Sequence, residues 1–361
     1  MSSALAGQGG IILACDYRVS SAGAHLARAR PQMCRRGAVL PAPSSDERQL
    51  FCFCTYGRFG DAYVILMASS SVVWSDWQPM VLPETLSPAV LAEVLDGGQT
   101  FRWNCSAEGV WQGTWAGCVA RLKPSEDGGI LWSAPQDLVE TVAGELPLYF
   151  RSALRFDRIV DDLPWRSDVH LERCLKTFPG LRLLRQPLEE TLLCFLCSSS
   201  KQIVQIKQMV ELLAQRHGRE IAPGIHRMPT WAELANVTEE ELRACLLGFR
   251  ARYVRQTAQI LAADSGWLNR IENLPCDEAK ARLRELPGVG EKVADCVLLF
   301  GAGRFEAFPV DVWITKTMEL RYGLEGWTPQ QIAHFGRMHF GPHAGIAQQY
   351  LFAWERAQGR S

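Results

Sequence analysis

A short segment between two predicted helices contains residue types that could do chemistry. It reads Leu-Pro-Gly-Val-Gly-Glu-Lys over 286–292, with a helical pattern on either side. Pro287 ends the first helix, and Gly288 and Gly290 allow a tight turn directly before the second. Such a turn presents backbone N–H groups beside a helix N-terminus, a geometry that binds phosphate. The pattern predicts a helix-hairpin-helix at 277–300, which holds a nucleic-acid backbone without reading its sequence.

Lys292 and an aspartate further along the chain are the candidate catalytic pair. Lys292 lies in the first turn of the second predicted helix, where a helix N-terminus and partial desolvation favour the neutral amine, which can form a Schiff base. The later segment Pro309-Val310-Asp311 places a carboxylate at another helix N-cap, where it could stabilise a developing cation. The alternatives are a solvated lysine, a simple capping aspartate and a plain turn between helices.

The composition is that of an ordinary globular protein. Of the 361 residues, 47% are hydrophobic and 21% charged, and 38 basic residues nearly balance 39 acidic ones. This balance neither indicates nor excludes nucleic-acid binding, because a local basic patch can hold a backbone. No apolar run reaches the ~18 residues of a membrane span, so no membrane partner is expected. The 12 cysteines lack the spacing of a metal or iron–sulfur site, so we expect reduced thiols, no metal and no cofactor.

Residues 1–78 differ from the rest of the chain. They are rich in Ala, Gly, Ser and Arg, and acidic residues are sparse. A transit peptide has this composition, but so could a mis-assigned start, with Met80 as the true first residue, or a small ordered extension. We expect the segment to have no part in the function.

The remaining chain divides into a strand-rich and a helical part. Within 79–180, one helical pattern is followed by short aromatic and β-branched runs separated by Gly, Ser and Asp, which is typical of an antiparallel meander. Within 181–361 the patterns become helical, and Thr238 and Thr328 are predicted to form capping boxes. The expected fold class is therefore α+β, a small antiparallel β-rich domain followed by an all-α domain of about eight or more helices.

Several separate segments also resemble a known family. They are similar to the helix-hairpin-helix superfamily of DNA glycosylases, and within it to the 8-oxoguanine DNA glycosylases, over 97–103, 194–199, 248–254, 286–296, 309–311 and 341–348. The similarity extends over about 82–356. It implies a bifunctional glycosylase/lyase that excises 8-oxoguanine from double-stranded DNA. It also implies a monomer located inside the cell with the DNA, in a nucleoid, nucleus or mitochondrion.

The resemblance assigns roles to the residues of a base pocket. Lys292 would attack C1′ of a nucleotide flipped out of the duplex, and the aspartate of the Pro-Val-Asp segment would assist it. Gly98 would offer its backbone carbonyl to the N7–H that 8-oxoguanine has and guanine lacks. Cys296 and Phe352 would hold the base between them, and Gln348 would meet its Watson–Crick edge.

A second group of residues would hold the duplex itself. Phe249 would wedge into the base stack and Arg250 would contact the orphaned cytosine, while Lys201, Gln205 and the two turn glycines belong to the same DNA-binding set. The chain departs from the family pattern at two of these positions. Gln205 stands where a second cytosine-reading arginine is expected, and Ser200 where an asparagine is expected. We therefore expect weaker discrimination among opposite bases than in the relatives.

Two other functions compete with this interpretation. A glycosylase for another damaged purine, such as an alkylated one, would keep the fold and change the pocket. Glycosylases that use water as the nucleophile have no need of a lysine there. A non-catalytic helix-hairpin-helix DNA-binding module would keep the Gly-Val-Gly turn, but it would have no reason to place both Lys292 and Asp311.

Overall fold

The structure is a computed structural model that describes residues 51–56, 62–67, 71–126 and 128–359. The chain divides into two compact units, Met1–Ser71 and Val72–Ser361. In the first unit, strands β1 (Phe51–Tyr56) and β2 (Ala62–Met67) pair as an antiparallel hairpin. The transit peptide, mis-assigned start or extension predicted for 1–78 lies mostly outside the described residues.

A five-stranded antiparallel sheet begins the second unit. Its strands in chain order are β3 (Gln78–Met80), β4 (Trp103–Cys105), β5 (Trp111–Trp115), β6 (Cys118–Pro124) and β7 (Ile130–Ser133). The spatial order is β3-β7-β6-β5-β4, so the last four strands form the predicted meander. Strand β3 adds to the free edge of β7 and is too short to show an alternating pattern in the sequence.

Residues 72–78 belong to this second unit, although their composition groups them with the preceding segment. Gln78 pairs with β7 in the ladder. The guanidinium carbon of Arg121 on β6 lies 3.7 Å from the centre of the Trp74 ring, a cation–π contact. These contacts join the segment to the sheet through partners that are distant in sequence.

The helices account for most of the second unit. In chain order, the α-helices of the described residues are α1 (Pro88–Asp96), α2 (Val139–Tyr149), α3 (Phe156–Asp161), α4 (Val169–Thr177), α5 (Leu188–Cys197), α6 (Ile203–His217), α7 (Trp231–Leu234), α8 (Glu239–Ala244), α9 (Arg250–Ala263), α10 (Trp267–Asn273), α11 (Cys276–Leu283), α12 (Glu291–Cys296), α13 (Val312–Tyr322), α14 (Pro329–Phe340) and α15 (Ala344–Gln358). A π-helix, Val297–Gly301, continues α12, and a small hairpin of β8 (Glu220–Ala222) and β9 (Ile225–His226) follows α6. The α+β prediction is confirmed.

Side-chain caps explain where several helices begin. Ser87 accepts a hydrogen bond from the N–H of Val90 at the start of α1. Thr238 at α8 and Thr328 at α14 form the predicted capping boxes with the residue three positions later. No helix of the described residues is both long and apolar enough to span a membrane.

Helix α5 is the central element that positions the site. Eight of its ten residues are buried, because it is apolar on nearly every side. The Phe195 ring stacks on Phe300 of the π-helix at a centroid distance of 5.4 Å. Burial raises the pKa of the Cys197 thiol to about 12, so this cysteine is a neutral core residue. The packing brings the C-terminal end of α5 against the start of α12.

Candidate active site

The helix-hairpin-helix is formed by α11, α12 and the turn between them. Gly288 has φ +81°, a conformation that other residues rarely adopt, and a Cβ there would lie 2.8 Å from the ring of Tyr253 on α9. Gly290 is the N-cap of α12 and faces open space, with no atom within 4 Å of a Cβ position. The first glycine therefore permits close packing on α9, while the second leaves the turn accessible.

Ion pairs join the two helices of this hairpin. The Lys280 amine on α11 lies 2.8 Å from Glu291 and 2.9 Å from Asp295, both on α12. Arg284 adds a second contact to Glu291 at 2.7 Å. Burial raises the pKa of the Asp295 carboxyl to about 6, and the Lys280 charge opposes that rise. The pairs hold the first turn of α12, and with it Lys292, against α11.

Lys292 makes a polar contact to a neutral group at the end of α5. Its Nζ donates to Ser198 Oγ at 3.1 Å and lies 5.0 Å from the centre of the Phe195 ring. Among the described residues, no carboxylate lies within ion-pair distance of this amine. Cys296 follows one turn along α12, and burial raises the pKa of its thiol to about 12, so the thiol is neutral. The amine thus lies in a pocket of mostly apolar walls.

Asp311 is held at the N-terminus of α13. Its Oδ1 accepts hydrogen bonds from the N–H groups of Trp313 at 3.0 Å and Ile314 at 2.9 Å. Burial raises the pKa of the Asp311 carboxyl, while the Ile314 N–H and the Lys292 charge oppose that rise. The carboxylate therefore serves as the predicted cap, and it interacts electrostatically with the amine.

Three of the predicted base-pocket residues come together on α1 and α15. A Cβ on Gly98, which has φ +100°, would lie 3.8 Å from the ring of Phe352. Phe352 is half-buried and lies one turn after Gln348 on α15. Buried Gln348 donates from Nε2 to the carbonyl of Pro309 at 3.1 Å, which ties α15 to the segment that carries Asp311. The arrangement leaves one face of Phe352 available beside the Gly98 backbone.

The backbone of Gly98 is fixed by the residue that follows it. Gln99 is buried, and its Nε2 donates to the Arg182 carbonyl at 3.1 Å while its Oε1 accepts from the Leu184 N–H at 2.9 Å. Gln186 donates its side-chain N–H to the Gln99 carbonyl. Because all three contacts reach the segment before α5, they set the position of the Gly98 carbonyl relative to that helix.

Phe249 and Arg250 lie at the start of α9 and differ in exposure. Phe249 is 54% exposed, and its ring makes an edge contact with Tyr253. Arg250 is buried, and its guanidinium donates to the carbonyls of Leu247, at 3.2 Å, and Ser199. Burial lowers the pKa of this guanidinium. Its contact with an orphaned cytosine stays a prediction, and it requires the guanidinium to leave these carbonyls.

Lys201 and Gln205 lie at the beginning of α6. The N–H of Lys201 donates to the Ser198 carbonyl at 3.2 Å, and its side chain is half-buried. Gln205 is exposed, and its Oε1 accepts from the N–H of Gln202 at 3.2 Å, closing a capping box. The structure therefore gives Gln205 a local role, and its contact with DNA stays a prediction.

The structure also reveals two positioning residues to which the sequence assigns no role. Ser198 supplies the hydroxyl that Lys292 contacts, and Gln99 anchors Gly98. Both lie within the family-like segments, beside residues with assigned roles. Their partners are 83 or more residues away in the chain, so local patterns could not identify them.

Comparisons with known proteins agree with this geometry. Residues 81–192 match the 8-oxoguanine DNA glycosylase N-terminal domain, and 193–338 match the HhH-GPD superfamily of base excision DNA repair proteins. The N-glycosylase/DNA lyase OGG1 of Arabidopsis thaliana is 31% identical over 295 residues, which cover 77% of this chain and 80% of that protein. A probable N-glycosylase/DNA lyase of Methanothermobacter thermautotrophicus is 32% identical over 229 residues, covering 57% and 73%.

A solved structure is similar over nearly its whole length. It is the Clostridium acetobutylicum 8-oxoguanine glycosylase/lyase in complex with dsDNA containing cytosine opposite to 8-oxoG. Its TM-score to this protein is 0.69 at 29% identity, over 74% of this chain and 92% of that chain. With both domain matches in consecutive order and the hairpin, Lys292 and Asp311 in place, the chain belongs to the 8-oxoguanine DNA glycosylases of the HhH-GPD superfamily.

Proposed function

We propose that the protein is a bifunctional DNA glycosylase and lyase that excises 8-oxoguanine from duplex DNA in base excision repair. The observation that carries this proposal is the environment of Lys292. Its amine lies at the start of α12 against the Ser198 hydroxyl, with the buried Asp311 as the neighbouring negative charge. An amine so placed serves as a nucleophile, which a glycosylase that activates water does not need.

The chemistry follows from this pair of residues. The Lys292 amine bonds to C1′ as the bond from C1′ to the base breaks, and the base departs with that electron pair. Positive charge grows on the sugar during this step, and the Asp311 carboxylate stabilises it. The amine and C1′ then form an imine, loss of a C2′ proton drives β-elimination, and the strand is cut on the 3′ side.

The base pocket provides selectivity for the lesion in this proposal. The Gly98 carbonyl accepts a hydrogen bond from the lesion's N7–H, which guanine lacks, and Gln99 holds that carbonyl in place. Phe352 and Cys296 hold the base from its two faces, and Gln348 contacts its Watson–Crick edge.

The duplex is held by the elements around this pocket. Phe249 enters the base stack, and the turn at Gly288 and Gly290 binds the phosphate backbone. Arg250 and the start of α6, with Lys201 and Gln205, face the opposite strand. The protein works inside the cell on DNA, and we propose that it does so as a monomer.

Borohydride trapping tests the proposed function. Wild type should form a covalent adduct with a duplex that contains 8-oxoguanine opposite cytosine, and Lys292→Gln should bind the duplex without forming the adduct. Lys176→Gln, an exposed lysine on α4, is the matched control and should trap as wild type does. No adduct from wild type, or adduct formation by Lys292→Gln, would refute the assignment. Duplexes that contain alkylated purines show whether the lesion preference is correct.

A further inference from the structure

The turn between α8 and α9 carries an exposed leucine in a backbone conformation that leucine avoids. Leu246 has φ +65° and is 50% exposed. It lies just after the C-cap of α8, a position where glycine is usual because a Cβ is disfavoured there. The neighbours Cys245 and Leu247 are both buried, so the turn exposes this leucine selectively. Strain and exposure both weaken the fold, which points to a contact outside the chain.

Leu246 stands out among residues that share its backbone conformation. In the described ranges, four residues other than glycine have positive φ, namely Ala116, Arg151, Ser200 and Leu246. Leu246 is the large apolar residue of this group, and a long alkyl side chain has no polar group with which to bind its own backbone in compensation. A local structural benefit therefore does not explain it.

Its turn is joined to the active site. Arg250 donates to the carbonyl of Leu247, within the turn, and to that of Ser199, which follows the hydroxyl that contacts Lys292. The turn therefore lies beside the end of α5 at which the Lys292 amine is held. Its outward-facing side carries Leu246 and, three residues later, Phe249.

The space around these two side chains is open. Gly248 lies between them with φ +58°, and no atom lies within 4 Å of a Cβ position there. Phe249 is 54% exposed. The two apolar side chains thus project from one short turn without covering each other's surroundings, and a flat apolar surface such as stacked bases can meet both.

We propose that Leu246 is a second apolar contact to DNA, which packs beside Phe249 against the bases at the flipped site. This inference rests on the proposed function for its partner. A duplex that has lost one stacked base leaves a gap, and two adjacent apolar side chains fill more of that gap than one. Burial of the exposed half of the leucine side chain strengthens binding, which offsets the strain that the fold carries in the free protein.

Two substitutions separate contact from strain. Leu246→Ala keeps the Cβ and its strain but removes the apolar contact, whereas Leu246→Gly removes both. Affinity for a duplex with a tetrahydrofuran abasic analogue, measured by fluorescence anisotropy, should fall about three- to tenfold in both variants. The Tm of Leu246→Gly should rise by about 2–4 °C, opposite in direction to the loss of binding. Leu320→Ala, at an exposed leucine near the end of α13, is the control and should bind as wild type does.

A 2-aminopurine beside the lesion position reports insertion directly. Its fluorescence on binding should be lower with Leu246→Ala than with wild type, because less of the neighbouring stack is opened. Wild-type affinity and unchanged fluorescence in Leu246→Ala would overturn the inference. If wild type gives no borohydride adduct but Leu246→Ala still loses duplex affinity, the proposed function fails and the inference stands.

Discussion

The amine of Lys292 lies 3.1 Å from the hydroxyl of Ser198, across the junction of α12 and α5. The Ser198 hydroxyl in turn donates to the carbonyl of Phe195 at 2.8 Å, so its lone pairs face the amine. A hydroxyl accepts a hydrogen bond from either protonation state of lysine without the strong preference for the charged form that a carboxylate imposes. The contact orients the nucleophile without pairing its charge.

Ser198→Ala should slow imine formation by about two- to tenfold, because one neutral hydrogen bond that orients the amine is lost. The rate of borohydride trapping under single-turnover conditions measures this. Ser199→Ala is the matched control, since Ser199 contacts Arg250 through its backbone carbonyl, which the substitution keeps. Equal slowing by both substitutions would show that the loop as a whole, and not the hydroxyl, is responsible.

Asp311 has two separable roles, as helix cap and as negative charge. Asp311→Asn should keep the cap, because asparagine caps about as well as aspartate, but should slow 8-oxoguanine excision by about ten- to a hundredfold. Asp311→Ala should in addition lower the free energy of unfolding by about 1 kcal/mol. Single-turnover excision and denaturant unfolding give the two quantities separately.

The pH dependence of excision follows from the same carboxyl group. Burial raises the pKa of Asp311, so the carboxylate becomes protonated at a higher pH than an exposed aspartate does. Wild-type excision should therefore decline as the pH falls, before exposed aspartates titrate. Asp311→Asn should lose this acidic limb, and an unchanged limb in that variant would assign it to another group.

Glu190 predicts a pH dependence of stability. It lies on α5 and accepts from the N–H of Ala116 at 3.0 Å, and burial raises its pKa to about 7. The unfolded chain releases this proton near pH 4.5, so the folded protein loses stability as the pH rises from about 4.5 to about 7. Glu190→Gln keeps the acceptor and removes the charge, so it should stabilise the protein by about 1–2 kcal/mol at pH 8 and have little effect at pH 4. Thermal unfolding at both pH values tests this, with the exposed Glu189→Gln as the control.

Local sequence patterns predict the parts of this protein that depend on neighbours in the chain. The hairpin glycines, Lys292 and the cap at Asp311 lie within short motifs, and the strands of the meander are separated by clear turn residues. The anchoring of Gly98 by Gln99 depends on partners 83 and 85 residues away, which no local pattern encodes. The inward orientation of Arg250 likewise depends on a carbonyl 51 residues away. Strand β3 is recognisable only beside β7.

The first turn of α6 predicts weaker selection of the opposite base. Gln205 stands where the family pattern has an arginine, and its side-chain oxygen already accepts from the N–H of Gln202. Reading an orphaned cytosine requires donors aimed at its O2 and N3 acceptors, so loss of one charged donor should reduce discrimination by about ten- to a hundredfold. Single-turnover excision of 8-oxoguanine opposite each of the four bases measures it.

Gln205→Arg should raise the preference for cytosine, because a guanidinium supplies the missing charged donor. It also removes the acceptor of the capping box at a cost of about 0.5–1 kcal/mol in stability, so Gln205→Ala is needed as the control for the cap alone. Gln205→Ala should lose the cap without gaining discrimination. A wild type that already prefers cytosine by several thousandfold, together with an unchanged preference in Gln205→Arg, would show that opposite-base selection lies elsewhere. The remaining candidate is then Arg250, whose guanidinium must leave the Ser199 carbonyl to reach the cytosine.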